Sequence, residues 1–147
     1  MTDAVFACPP AWESWISPWT RRLRTTGELP EQRWGTLLLP PGTAGAIQAV
    51  PVSCACLLVE GGCPAELLAA VETAHVVTYG MSPRDSLTLS SLQEPVLCVQ
   101  RSLTRPDGTV IERQELPLGE LPLPPEQILP LLGLWLLQMP LTGRPFL

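Results

Sequence analysis

The chain has no lysine: all nine of its basic residues are arginine, set against fourteen acidic ones, and the net charge is −5. A nucleic-acid partner needs a basic face to neutralise phosphates, and the one basic cluster, Arg21, Arg22 and Arg24, is isolated. No nucleic-acid partner is therefore expected, and the cluster reads as a solvated helix end. Long apolar runs are missing too. The longest, Ile128 to Met139, is twelve residues and carries Pro130, whereas a membrane span needs about 20. No membrane partner is expected.

Histidine occurs once, at His75. A cysteine nucleophile needs a base beside it, and the best-placed thiol, Cys63, stands at the other end of an expected helix about 16 Å long. That spacing speaks against a Cys–His enzyme. The five cysteines (Cys8, Cys54, Cys56, Cys63 and Cys98) are an odd number without paired spacing. Cys54 and Cys56 alternate on one strand face, but one C-x-C with a stray third thiol is a poor zinc set. No metal and no cofactor are implied. The opening Met1-Thr2-Asp3-Ala4-Val5-Phe6 lacks the basic start and apolar run of a secretory signal. Reduced thiols and a cytoplasmic setting are expected.

What is present is apolar: 46% of residues are hydrophobic and only 16% charged, with 18 prolines as punctuation. One core is the expectation for 147 residues. Four of the five tryptophans lie in residues 1–35, which read as a Trp-rich segment packing on a single α/β domain over 36–147. Trp12, Trp15, Ile16 and Trp19 fall at the spacing of one helical face, although Pro18 limits any regular helix. The face reads either as a lid on the core or as an aromatic surface for a partner. Trp135, on a final helix from about Glu126 to Gln138, offers a second such face with Leu131 and Met139.

The clearest organisational signal is a strand over Val52–Val59, a helix over Ala65–Ala74 behind Pro64, and a strand over His75–Tyr79. That order predicts a parallel β-α-β crossover. Alternation from Ser86 to Leu92, a run from Val96 to Leu103, the turn Arg105-Pro106-Asp107-Gly108 and a return from Val110 to Leu118 predict antiparallel strands. The fold class is thus α/β or α+β: a small mixed sheet with one parallel unit, antiparallel strands and a C-terminal helix.

In an open parallel sheet, ligands collect where strands end. Here that edge holds Glu60, Gly61, Gly62 and Cys63 after one strand, and Tyr79, Gly80, Ser82, Arg84 and Asp85 after the next. Glycines before a helix start can let N–H groups approach an anion, but Gly61-Gly62-Cys63-Pro64 lacks the length and the Lys-Ser/Thr pair of a phosphate loop. Cys63 would sit near the helix N-cap, where a thiol pKa can fall. The same residues can equally be tight turns.

Val76-Val77-Thr78-Tyr79-Gly80, then Asp85, the strands from Ser86 to Leu118, the corner Leu116-Pro117-Leu118-Gly119 and the helix after Pro125 together resemble the C-terminal half of the central ATPase domain of Mur ligases. The resemblance covers about half the chain. It carries over no catalytic residue: there is no P-loop, no lysine to be carbamylated, and Glu120-Leu121 stands where the family has a His-Asn pair. It implies a ligase-like remnant unable to form amide bonds with ATP. The sequence thus predicts a non-enzymatic binding module, acting on a protein partner or a second copy through Trp12, Trp15, Trp19 and Trp135. The alternative is a small-molecule binder or cryptic enzyme at the strand-end edge.

Overall fold

The computed structural model describes residues 1–90 and 94–138. The strands are β1 (Ala4–Phe6), β2 (Arg21–Leu23), β3 (Trp34–Leu38), β4 (Val52–Glu60), β5 (Val71–Tyr79), β6 (Leu87–Leu89), β7 (Val96–Val99), β8 (Leu103–Thr104), β9 (Val110–Ile111) and β10 (Gln114–Pro117), followed by helix α1 (Pro125–Gln138). Eight of them form one mixed sheet in the order β10-β7-β6-β5-β4-β3-β1-β2, and β8 pairs with β9 apart from it. Every pairing from β2 across to β6 is parallel, and β7 and β10 join antiparallel. The fold is mixed α/β with a C-terminal helix, and its parallel part is larger than one crossover.

Residues 1–35 place β1 and β2 inside that same sheet, β1 between β2 and β3, and the expected boundary at residue 35 falls within β3. Three-residue strands are too short to show a period, which is why the segment reads in the sequence as tryptophans alone. The Trp12–Trp19 helical face does not form. A 3-10 turn covers Pro10–Trp15 and the chain is already extended at Ile16. Arg21 and Arg22 lie on edge strand β2 rather than at a helix end. Arg21 pairs with Glu28 and Glu31, and Arg22 with Glu13 and the carbonyls of Ile16, Ser17 and Thr20.

The helix expected over Ala65–Ala74 is also replaced, by a single 3-10 turn at Ala65–Leu68, and β5 begins at Val71. Geometry requires this. β4 and β5 run parallel in full register, Val52 beside Val71 and Glu60 beside Tyr79. The connection must therefore return the length of a nine-residue strand, about 30 Å. Only residues 61–70 are available, and as an α-helix they would rise about 15 Å. A mostly extended path with one tight turn closes the gap.

Buried side chains form two apolar layers. One gathers α1 with Leu38, Cys56, Leu58, Val77, Tyr79 and Leu87; the other packs Phe6, Leu23, Trp34, Leu37, Leu57 and Val59 under the 3-10 turns. Adjacent Leu57 and Leu58 fall in different layers, as alternation along a strand requires. Cys54 packs in the cluster with Trp34 and Cys56 in the cluster with Leu38. Gly133 lets α1 approach the sheet, since a Cβ there would stand 2.9 Å from Leu87 Cδ1. No helix among the described residues is long and apolar enough to cross a membrane.

Candidate functional site

Because β3, β4 and β5 are parallel, the loops that follow them leave the sheet at the same edge. Glu60 ends β4, and the Gly61 N–H donates to the Tyr79 carbonyl at 2.8 Å, tying the two strand ends together. Tyr79 is buried, and its hydroxyl donates to the Leu39 carbonyl at 2.7 Å, which fixes the end of β3 as well. Beyond Tyr79, the Thr78 N–H donates to Ser86 Oγ and the Ser86 N–H to Thr78 Oγ1, so the loop from Gly80 to Asp85 is pinned at both feet. Gln100 Nε2 donates to the Asp85 carbonyl at 2.8 Å and secures it from β7's side.

These loops and the first turns of α1 enclose a cleft of about 810 Å³. Glu60, Gly61, Gly62, Tyr79, Ser82, Arg84 and Asp85 all line it. Its other walls come from Pro41, Gly80, Met81, Pro125, Glu126 and Leu129. Cleft volumes of about 300–1,000 Å³ are usual for small-molecule sites. The sequence reading missed the α1 contribution: the hydrophobic spacing of the final helix says that one face is buried, but not against which strands.

Asp85 is the central polar group. It is only 5% exposed, and its carboxylate rests against the backbones of Gly61 and Gly80. A Cβ at either glycine would overlap the carboxylate, so both positions need glycine for close approach rather than for a positive φ. Asp85 Oδ2 accepts the Ser82 N–H at 3.0 Å. Glu60 Oε1 accepts the Gly42 N–H at 3.3 Å, while Arg84 and Glu126 are exposed at the rim.

Cys63 lies beside the cleft, in a smaller hollow of about 280 Å³ with Gly42, Glu60 and Leu67. The helix N-terminus expected to lower its pKa is absent, because the following element is the 3-10 turn. Its thiol is instead pushed up from the ordinary value of 9.0, by burial first and then by the charges of Glu60 and Glu66. A protonated thiol is a poor nucleophile. His75 sits in mid-β5 opposite Cys56, four residues before the strand ends at Tyr79. Roughly 13 Å of strand thus separates it from the edge that carries Cys63. Among the described residues no group of three His, Cys, Asp or Glu is disposed to hold a metal ion.

The four candidate tryptophans are scattered. Trp12 is buried, and Trp135 is 8% exposed with its Nε1 donating to the Trp15 carbonyl. Trp15 is half-buried against the Trp135 ring, 6.5 Å between centroids. Trp12, Trp15 and Trp135 therefore belong to the packing between the N-terminal segment and α1, and do not form the expected partner surface. Trp19 alone is open, at 83% exposure. Met139, expected beside Trp135, lies outside the described residues. No family model, no curated protein and no solved structure matches this chain.

Proposed function

We propose that this protein is a non-enzymatic small-molecule-binding domain whose site is the cleft at the carboxyl ends of β4 and β5. The observation that carries the reading is convergence. Polar groups from the loops after β4 and β5 and from the start of α1 face one cleft, with apolar walls from Met81, Leu129 and Pro125. A more open groove of about 1120 Å³ runs along the Pro117–Pro125 connection, but its walls are chiefly proline and leucine and offer little to orient a ligand. Five free thiols favour a reducing compartment, the cytoplasm. The Mur-ligase kinship stands as a proposal on the order of elements alone, and it transfers no activity. The test is a thermal-shift screen of a metabolite library on the wild type and on Ser82→Trp, which fills the cleft from an exposed position. Hits whose stabilisation disappears in Ser82→Trp support the reading. Hits indifferent to it, or none, count against it.

A second reading rests on Trp19. So large an exposed aromatic is uncommon away from contact surfaces, and it keeps alive an interaction module that binds a protein partner or a second copy. Light scattering checks the self-association version. A dimer that Trp19→Ala converts to monomer supports it, and a wild-type monomer at high concentration removes it.

A further inference from the structure

We draw no further inference here: the strongest candidate, the edge of β5 left open below Tyr79, where Val76 is 50% exposed and β6 supplies no pairing partner among the described residues, carries nothing because nothing in the structure shows what covers it.

Discussion

Asp85 packs directly against the backbones of Gly61 and Gly80, and this arrangement shapes one wall of the cleft. A side chain at position 61 must displace the carboxylate or the β4 end. Gly61→Ala is therefore expected to cost about 1–3 kcal/mol, as overpacking does elsewhere. Because the clash is with one side chain, the penalty should shrink to a few tenths of a kcal/mol when Gly61→Ala is made on an Asp85→Ala background. Urea denaturation of the four proteins of this double-mutant cycle checks it. Equal penalties in both backgrounds would place the strain in the backbone. At this scale the sequence was informative about position. Glu60, Gly61, Tyr79, Ser82, Arg84 and Asp85 can be picked out because strand ends followed by glycine and polar residues mark an edge. Their packing was not legible: nothing in the spacing of residues 61, 80 and 85 shows that one carboxylate fills the space that two glycines leave.

At the scale of elements, the connection between β4 and β5 carries the main lesson. Ala65–Ala74 has strong helix propensity, yet Val71 to Thr73 pair with β4 because the return path is longer than a helix can span. Propensity is a weak prior that tertiary distance overrides. The parallel part also exceeds the one unit expected from sequence, since β1 and β2 join it with three residues each, too few to show a period in the sequence. Among the described residues β6 meets β5 only at Tyr79 and Leu87, so the lower part of β5 is paired on the β4 side alone. Parallel strands direct successive residues to opposite neighbours. Hydrogen exchange from Glu72 to Val77 should therefore alternate, with one slow amide and then one fast. Uniform protection across these residues would instead indicate a helix, or a further strand seated on that edge.

For the whole molecule, the central strands β3 and β4 are buried between two apolar layers, and the buried thiols make stability depend on pH. Burial pushes Cys56 from 9.0 up to about 12, with the charges of Cys54 and Asp3 adding to it. Cys8 rises to about 11, by burial and then by Glu13. Folding holds these thiols protonated, while the unfolded chain releases their protons above pH 9. Their contribution is thus whole below about pH 9 and is lost as pH climbs toward 11 and 12. The urea midpoint should fall between pH 8.5 and pH 10.5, with Cys56 alone responsible for about 1 kcal/mol per pH unit. Cys56→Ala should flatten the profile, and a wild-type midpoint unchanged over that range would contradict the burial. The central claim, that the molecule offers one ligand site at the carboxyl edge of its parallel strands, is tested most directly by a crystal structure of the protein soaked with the strongest hit of the metabolite screen. The account predicts ligand density between Glu60, Asp85 and the first turn of α1. Density at Trp19 or along the Pro117–Pro125 groove, with the cleft empty, would contradict it.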